Sequence, residues 1–328
     1  MGKIRAKIIG TGSFTPQQRM TNADFEKIVD TNDEWIVSRT GIKERRIAPP
    51  DMAVSDMAVK ACQRAIDASG LKNEDIDLLI LGTVTPDYKL PSAACVVQEK
   101  MNLPNATAFD IVSACTGFIN GLSIAESFIE TGAYKNIIVV GAEKLSSITN
   151  YTDRNTCVLF GDGAGAAVLT AADDGSGIQS TFLKSNGNLR ELLWIEDGGS
   201  AHPIDENYEF KGRHQILMNG ADVFKVAVKQ MCNSAVKVVN DAGIDPSEIN
   251  LIIPHQANIR IIEAIAKRLK SSMDKVYVNI DKYGNTSAAS VPIALDEAFK
   301  EGRIKPGDYI LMVAFGGGLI WGSALIRW

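Results

Sequence analysis

The chain has 328 residues, of which 45% are hydrophobic and 22% charged, a composition typical of a globular protein with one large or two medium domains. Its formal net charge of −5 argues against a general nucleic-acid-binding protein. Five widely spaced cysteines without a CxxC pair and only three histidines argue against a disulfide framework and a zinc cluster, so we expect reduced thiols, no metal and a cytoplasmic location. No apolar run approaches the roughly 18 residues of a membrane span, and the N-terminus leads directly into a predicted strand. We therefore expect no membrane association.

The first predicted elements are a strand over residues 6–9, ended by Gly10-Thr11-Gly12, and a helix that starts at residues 21–24. The following segment, residues 31–46, is rich in Thr and Arg and contains Trp35. An indole can stack on a base and a guanidinium can bind phosphate, so this segment suits a nucleotide-type ligand. The alternative for Trp35 is a packed core aromatic.

Further along, long predicted helices alternate with short apolar strands, which indicates an α/β fold. One pattern recurs at a constant offset of 173 positions: residues 68–80 match 241–253, and residues 137–140 match 310–313. We interpret the offset as a duplicated α/β unit, with an N-terminal half over residues 1–173 and a C-terminal half over 174–328. The alternative is that two unrelated α/β units look alike. Residues 185–211 are expected to form a long surface excursion of the second half.

Two glycine motifs do not indicate a dinucleotide site. Residues 161–166 partly resemble the fingerprint, but a strand follows where the fingerprint needs a helix. Gly10-Thr11-Gly12 lacks the third glycine. Both are predicted to be tight turns between strands.

Cys115 lies between an apolar strand and a predicted helix that begins near Gly117. The unpaired N–H groups and positive dipole of a helix N-terminus favour the thiolate, which is the nucleophilic form of cysteine. The alternative is a cysteine buried only for packing. The other cysteines, Cys62, Cys95, Cys157 and Cys232, lie in apolar runs and are predicted to be packing residues.

Three further polar or glycine-rich segments follow predicted strands. His255 comes after the strand 251–254, Asn285 lies in the loop after 276–280, and residues 316–318 are three glycines after a strand. Ligand sites of open α/β sheets gather at the carboxyl ends of strands, so these residues are candidates for one site with Cys115. A structural core histidine and a plain hairpin turn are the alternatives for His255 and the glycines.

Four segments together, residues 110–118, 254–258, 283–292 and 315–318, resemble β-ketoacyl-[acyl-carrier-protein] synthase III, the initiating condensing enzyme of type II fatty-acid synthesis. The resemblance covers essentially the whole chain. It implies the thiolase-like fold, a duplicated α/β unit in a five-layered αβαβα arrangement. It also implies a homodimer that uses acyl-CoA and malonyl-acyl-carrier protein as substrates and needs no cofactor.

The resemblance assigns the catalytic roles. Cys115 takes the acyl group, and His255 and Asn285 stabilise the enolate that forms when the malonyl group loses CO2. The backbone N–H groups of Cys115 and Gly317 hold the tetrahedral oxyanion.

The resemblance also assigns two binding regions. Residues expected to bind CoA are Thr31, Trp35, Arg39, Arg154, Gly220, Phe224, Ala257 and Asn258. Residues expected to contact the carrier protein are Gln256, Ala257, Asn258, Ile259 and Arg260. An acidic carrier protein requires a locally basic surface, which Arg260 and Lys267 are expected to provide; an ordinary solvated face is the alternative.

Leu90 occupies the position where many relatives carry a phenylalanine that closes the acyl pocket across the dimer interface. A smaller side chain there leaves the primer length and branching open. The prediction is thus an acyltransferase that makes 3-oxoacyl-carrier protein. The alternatives are a relative with the same triad and another product, a papain-like cysteine hydrolase and a non-catalytic binding protein.

Overall fold

The computed structural model describes residues 3–328; Met1 and Gly2, the start of the predicted first half, lie outside these residues. The strands, in chain order, are β1 (Arg5–Phe14), β2 (Arg19–Thr21), β3 (Glu44–Arg46), β4 (Leu78–Gly82), β5 (Thr107–Ile111), β6 (Ile137–Glu143), β7 (Gly163–Ala172), β8 (Gly177–Ser185), β9 (Leu193–Trp194), β10 (Leu217–Met218), β11 (Ile249–Pro254), β12 (Tyr309–Gly316) and β13 (Ile320–Arg327). The helices are α1 (Asn22–Phe25), α2 (Asp33–Thr40), α3 (Val54–Ser69), α4 (Ala93–Met101), α5 (Gly117–Glu130), α6 (Arg154–Cys157), α7 (Gly220–Ala242), α8 (Ile259–Arg268), α9 (Ile280–Tyr283) and α10 (Ser290–Lys300).

Two mixed sheets form the frame of the molecule. The first has the order β1-β7-β6-β4-β5 and the second the order β11-β12-β13-β8. In the first sheet β6, β4 and β5 are parallel while β7 and β1 run antiparallel to their neighbours, and the second sheet repeats this pattern in β11, β12, β13 and β8. An isolated parallel β-bridge joins Ile252 of β11 to Val276. Val276 thus occupies the position next to β11 that β5 occupies next to β4.

The predicted duplication is confirmed by the spacing of the elements. Helices α5 and α10 begin at Gly117 and Ser290, which are 173 positions apart. A 3₁₀ turn precedes each of them, Ala114–Thr116 before α5 and Ser287–Ala289 before α10, again at an offset of 173. Cys115 and Asn285 therefore lie at or beside equivalent turns of the two halves.

Three apolar clusters define five layers. One cluster packs α3 and α4 on the outer face of the first sheet. The second lies between the sheets and is built from α5, α10 and the inner faces of both. The third packs α7 and α8 on the outer face of the second sheet. The predicted five-layered αβαβα arrangement is thus confirmed.

The prediction that the first strand ends at Gly10-Thr11-Gly12 was wrong. β1 continues through both glycines to Phe14, with a register shift between Ile8 and Gly10. A Cβ at Gly10 would lie 2.7 Å from the backbone N of Ser69, and one at Gly12 2.7 Å from the Cβ of Arg64. The glycines therefore allow α3 to pack directly on the strand backbone, which is a reason for glycine inside a strand.

The two predicted halves meet where β7 ends at Ala172 and β8 begins at Gly177, so the proposed boundary falls in the connection between these strands. Placing it between residues 173 and 174 stays a prediction. Residues 199–211 of the predicted excursion are mostly exposed. The prediction that residues 161–166 form a tight turn between strands was also wrong, because only Gly161 and Asp162 precede β7 and residues 163–166 belong to that strand.

The cysteine predictions were largely confirmed: all five thiols are free, and Cys62, Cys157 and Cys232 are buried. Cys95 is an exception, because it is exposed on α4 with its Sγ 3.6 Å from the carbonyl oxygen of Ala108. Over residues 3–328, no helix combines the length and apolarity that a membrane crossing requires.

Candidate active site

Cys115 lies in the 3₁₀ turn that joins β5 to α5, directly before the helix N-terminus. The preceding residue, Ala114, has a left-handed conformation with φ of 44°. A Cβ at Gly117 would lie 3.1 Å from the Cα of Gly82, so two glycines allow the helix start to reach the end of β4. The sequence-based position of Cys115 between a strand and a helix is confirmed.

Burial raises the pKa of the Cys115 thiol to about 12, the hydroxyl of Ser287 lowers this pKa, and the charge of Glu143 raises it further. The helix N-terminus opposes the effect of burial, but a macrodipole contributes at most about 2 kcal/mol, or roughly 1.5 pKa units. The resting group at neutral pH is therefore the thiol. Ionisation has to accompany the reaction.

Asn285 is held by its backbone and by its side-chain oxygen. Its N–H donates to the carbonyl oxygen of Leu159 at 2.9 Å, and Gly161 N–H donates to the Asn285 carbonyl at 3.0 Å. The side-chain Oδ1 accepts the backbone N–H of Ser287 at 2.9 Å. Because the oxygen is occupied on this side, the amide NH2 group is left as the donor that the site can use.

His255 follows β11, and its backbone N–H donates to the carbonyl oxygen of Val313 in β12 at 2.7 Å. The ring is buried, and burial lowers the pKa of His255 to about 4. Its Nδ1 has no hydrogen-bond partner among residues 3–328. The imidazole is therefore neutral at physiological pH and has one N–H available for donation.

Direct contacts join the segments that carry these residues. Gln256 N–H donates to the hydroxyl of Ser290 at 2.8 Å, which ties the histidine loop to the start of α10. A Cβ at Gly316 would lie 2.6 Å from the backbone N of Cys115. The structure thus brings the cysteine, histidine, asparagine and glycine segments together at the carboxyl ends of strands, as predicted.

Gly317 follows β12 on the same side of the molecule. A Cβ there would lie 3.0 Å from the carbonyl oxygen of Leu193 and 3.9 Å from the Cβ of Ala114. The surface excursion therefore reaches the glycine segment through β9. The oxyanion role of Gly317 stays a prediction.

The predicted adenine residues surround one indole. The guanidinium carbon of Arg39 lies 5.3 Å from the Trp35 ring centroid, and that of Arg154 lies 5.2 Å from it. Arg154 also donates to the carbonyl oxygen of Asp30 at 2.7 Å. The Oγ1 of Thr31 is buried and has no hydrogen-bond partner within the described chain.

Asn258 connects this region to α8. Its Nδ2 donates to the carbonyl oxygen of Arg39 at 2.8 Å, and its Oδ1 accepts the backbone N–H of Arg260 at 2.9 Å, which makes it the N-cap of α8. The guanidinium carbon of Arg260 lies 5.1 Å from the ring centroid of Phe224 on α7. Gly220 begins α7 and is exposed, while Ala257 and Ile259 are half-buried.

Gln256 does not fit the carrier-protein surface to which it was assigned. It is 1% exposed, and its Nε2 donates to the carbonyl oxygens of Pro254 at 2.8 Å and Tyr277 at 3.1 Å. Its Oε1 accepts the N–H of Asn279 at 3.0 Å. The side chain is a brace inside the fold, whereas Arg260, Lys267 and Lys270 are exposed.

Sequence reasoning missed two buried residues beside the nucleophile. Glu143 ends β6, and its carboxylate accepts the hydroxyl proton of Ser287 at 3.0 Å. The two residues are 144 positions apart, so no local motif links them. The only available signal was a single acidic residue at the end of an apolar strand.

One group of potential metal ligands, Glu196, Asp197 and His202, has its ligating atoms within 4.8 Å of one another. It lies in the surface excursion, and Asp197 is already paired with Arg213 at 3.0 Å and with the Tyr208 hydroxyl at 2.8 Å. The predicted absence of a metal stays a prediction.

Comparison with known proteins identifies the family. Residues 109–187 match the family described as 3-oxoacyl-[acyl-carrier-protein] synthase III, and residues 239–328 match its C-terminal part. The chain is 55% identical over 326 residues to the β-ketoacyl-[acyl-carrier-protein] synthase III of Caldanaerobacter subterraneus, covering 99% of this chain and 98% of that protein. The chain belongs to the synthase III family.

Further synthases III agree with this assignment. The one from Clostridioides difficile is 52% identical over 99% of this chain and 98% of its own length. The crystal structure of the Aquifex aeolicus synthase III superposes with a TM-score of 0.91 at 51% identity, covering 98% of this chain and all of that one. The predicted family, the thiolase-like fold and the class of condensing acyltransferase are confirmed.

We predict that His255 makes the stability of this synthase depend on pH. The unfolded histidine binds a proton below its usual pKa of 6.5, whereas the folded one stays neutral down to about 4. The free energy of unfolding contributed by this group therefore falls as pH decreases from 6.5 to 4, by about 1.4 kcal/mol per pH unit, and levels off below that.

Urea unfolding of the wild type and of His255→Gln at several pH values between 7 and 4 measures this difference. The exposed-histidine variant His202→Gln should retain the wild-type dependence. Parallel curves for wild type and His255→Gln would contradict the prediction.

Proposed function

We propose that this synthase starts fatty-acid chains by decarboxylative Claisen condensation of an acyl-CoA primer with malonyl-acyl-carrier protein. The products are 3-oxoacyl-carrier protein, CoA and CO2. The observation that carries the proposal is the convergence of a buried thiol, a neutral histidine and an oriented asparagine amide on a glycine-lined turn. Membership of the synthase III family supports it.

In the first half-reaction, the Cys115 sulfur attacks the thioester carbon of acyl-CoA. The sulfur–carbon bond to CoA breaks, and the proton lost by Cys115 leaves with the CoA thiol. The backbone N–H groups of Cys115 and Gly317 stabilise the oxyanion of the tetrahedral intermediate. Because Cys115 starts as a thiol, no buried charge has to be maintained between turnovers.

In the second half-reaction, malonyl-carrier protein replaces CoA. The neutral imidazole of His255 and the amide of Asn285 donate hydrogen bonds to the thioester oxygen, whose negative charge grows as CO2 leaves. The enolate carbon then attacks the carbonyl carbon of the acyl-cysteine, the bond from that carbon to sulfur breaks, and the released Cys115 thiolate takes up one proton from solvent to regenerate the thiol. This chemistry assigns no cofactor, and acyl-CoA acts as a substrate.

The binding regions follow from the same proposal. The adenine of CoA stacks on Trp35 in contact with Arg154, and Thr31 and Arg39 lie beside it. Gly220, Phe224, Ala257 and Asn258 line the route of the pantetheine arm. The carrier protein docks on the exposed face of α8, which presents the basic residues Arg260 and Lys267. Glu263 on the same helix carries a negative charge that opposes this attraction.

The homodimer is supported by the edge of the first sheet. β5 pairs only with β4 among the described strands, so its other edge is available to a second chain. Val112 beside it is 82% exposed, and Leu90 is 87% exposed. Pairing of β5 with its copy would cover these apolar side chains and bring Leu90 to the partner's acyl pocket.

Two alternatives to this proposal are a papain-like hydrolase and a non-catalytic binding protein. The papain-like hydrolase is wrong because the chain has the synthase III fold. A non-catalytic binding protein has the same pockets but forms no acyl-cysteine. The cytoplasmic location stays a prediction.

Incubation with a panel of straight and branched acyl-CoAs should add one acyl group to Cys115. Intact-protein mass spectrometry measures the adduct, which Cys115→Ala should lose. The preferred acyl group also reports on the space left by Leu90. Absence of an adduct from the folded wild type with every thioester would reject the transferase.

Charge reversal of Arg260 should weaken carrier-protein docking. We expect Arg260→Glu to raise the KM for malonyl-carrier protein about tenfold, equivalent to about 1.4 kcal/mol. Acylation by acyl-CoA should change less than about twofold, since it needs no carrier protein. Lys237→Glu, on the exposed side of α7, is the matched control, and equal losses in both half-reactions would contradict the docking site.

Val112→Glu should convert the dimer to a monomer, because two carboxylates would be buried at the paired β5 edges. Light scattering after size-exclusion chromatography measures the molar mass. Met273→Glu, which changes another exposed apolar residue in a distant turn, should remain dimeric. A dimeric Val112→Glu variant would place the interface elsewhere.

A further inference from the structure

Glu143 is a fully buried carboxylate whose hydrogen-bond partners are all uncharged. It is 0% exposed at the end of β6, and no Lys, Arg or His of the described chain forms an ion pair with it. A buried charge without a countercharge is costly to the fold. Such a group beside a reactive thiol is a candidate for a functional role.

The carboxylate connects the two halves of the chain. Its Oε2 accepts the hydroxyl of Thr83 at 3.2 Å, the backbone N–H of Val84 at 3.1 Å and the hydroxyl of Thr85 at 2.7 Å. These donors follow β4 in the first half. Its Oε1 accepts the hydroxyl of Ser287, which belongs to the second half and precedes α10.

Ser287 links Glu143 to both of the proposed reactive side chains. Its backbone has a left-handed φ of 49°, and its N–H donates to the side-chain oxygen of Asn285 at 2.9 Å. Its side chain also lowers the pKa of the Cys115 thiol, and the two turns pack closely, since a Cβ at Gly117 would lie 3.1 Å from the Cβ of Ala288. A hydroxyl has a single proton, so Ser287 cannot donate to Glu143 and to the Cys115 sulfur at the same time.

The ionised carboxylate therefore disfavours the thiolate in two ways. Its negative charge raises the pKa of Cys115, in addition to the larger effect of burial. It also engages the one Ser287 proton that could stabilise the sulfur anion. A protonated or neutral group at position 143 removes both effects.

We propose that Glu143 is a positioning residue that holds Ser287 and, through the single Ser287 hydroxyl proton, controls how readily Cys115 ionises. The proposal rests on the proposed roles of Cys115 and Asn285. By fixing Ser287, the carboxylate also fixes the Ser287 N–H that orients the Asn285 amide. One buried acid thus couples the nucleophile to the enolate-binding group.

Among the neighbouring groups, Glu143 and Cys115 are the two whose titrations affect each other. Burial raises the pKa of Glu143 to about 7, so both of its forms are populated at neutral pH. The neighbouring groups Thr83, Thr85 and Ser287 do not titrate there. Lys144 directs its ammonium toward the carbonyl oxygens of Pro49, Pro50 and Met52, and His255 stays neutral above about pH 4 because burial lowers its pKa.

The test measures the alkylation rate of Cys115 by iodoacetamide between pH 6 and 9, with peptide mass spectrometry to separate it from the exposed Cys95. In the wild type, deprotonation of Glu143 near pH 7 should counteract the gain in thiolate. The logarithm of the rate should therefore rise with a slope clearly below 1 around pH 7.

Glu143→Gln should abolish this curvature and give a slope close to 1, because the charge is gone and the glutamine amide can donate to Ser287. The rate at pH 8 should rise about tenfold, because removing the charge at position 143 lowers the pKa of the Cys115 thiol. Glu126→Gln changes a half-buried carboxylate on α5, which accepts the hydroxyl of Thr181 at 3.1 Å, and should behave as the wild type.

A folded Glu143→Gln variant with the wild-type slope and rate would overturn the proposal. If that variant does not fold, Ser287→Ala serves instead: it removes the shared proton and should bring the slope closer to 1, and full curvature would overturn the proposal. Alkylation requires no acyl-CoA. A wild-type slope in Glu143→Gln together with acylation of Cys115 would therefore refute this inference alone, whereas failure of acylation refutes the proposed function.

Discussion

The site depends on close packing of two equivalent turns, one from each half of the chain. The turn before α5 contains Ala114 with φ of 44°, and the turn before α10 contains Ser287 with φ of 49°, at the same place in the repeat. Left-handed conformations cost non-glycine residues about 1–2 kcal/mol each. The surrounding contacts have to offset this cost, since a Cβ at Gly117 would lie 3.1 Å from the Cβ of Ala288 and a Cβ at Gly141 would overlap the Ala288 carbonyl. Glycine at these positions lets the strained turns meet.

Burial gives the assembled site its electrostatic character. It keeps Cys115 as a thiol and His255 as a neutral imidazole, and it raises the pKa of Glu143 to about 7. Fixed dipoles therefore surround the reacting atoms, together with the carboxylate of Glu143, which is partly ionised at neutral pH. In the proposed reaction, a carboxylate is lost as CO2 and its charge moves to an enolate oxygen. Donors that are already oriented, such as the Asn285 amide, need little rearrangement to stabilise that charge.

The sequence was most informative where a local pattern determines the position of a residue. A strand, a small-residue turn and a helix located Cys115, and a constant offset of 173 positions revealed the duplication that brings Asn285 toward it. Local patterns were misleading where a distant element decides the structure. Gly10 and Gly12 looked like a strand end, yet they lie inside β1 because α3 packs on them.

Contacts between distant residues were not predictable from one sequence. The Gln256 side chain belongs to a segment assigned to a surface by resemblance, but Pro254, Tyr277 and Asn279 bind it in the interior. The hydrogen bond between Glu143 and Ser287 spans 144 positions and has no periodic signature. Cys95 was placed in the interior because its neighbours are apolar, although its side of α4 is exposed.

The indole of Trp35 already has two guanidinium groups as neighbours, at 5.3 Å and 5.2 Å from its centroid. A planar heterocycle that enters between Trp35 and Arg154 would exchange an existing cation–π contact for its own stacking contact. Cation–π contacts at exposed sites are worth roughly 0.5–1 kcal/mol. Because the ligand displaces one of them, the net free energy of binding is smaller than the stacking free energy alone. In the proposed reaction, this arrangement favours rapid departure of CoA over tight retention, so that malonyl-carrier protein can enter for the second half-reaction.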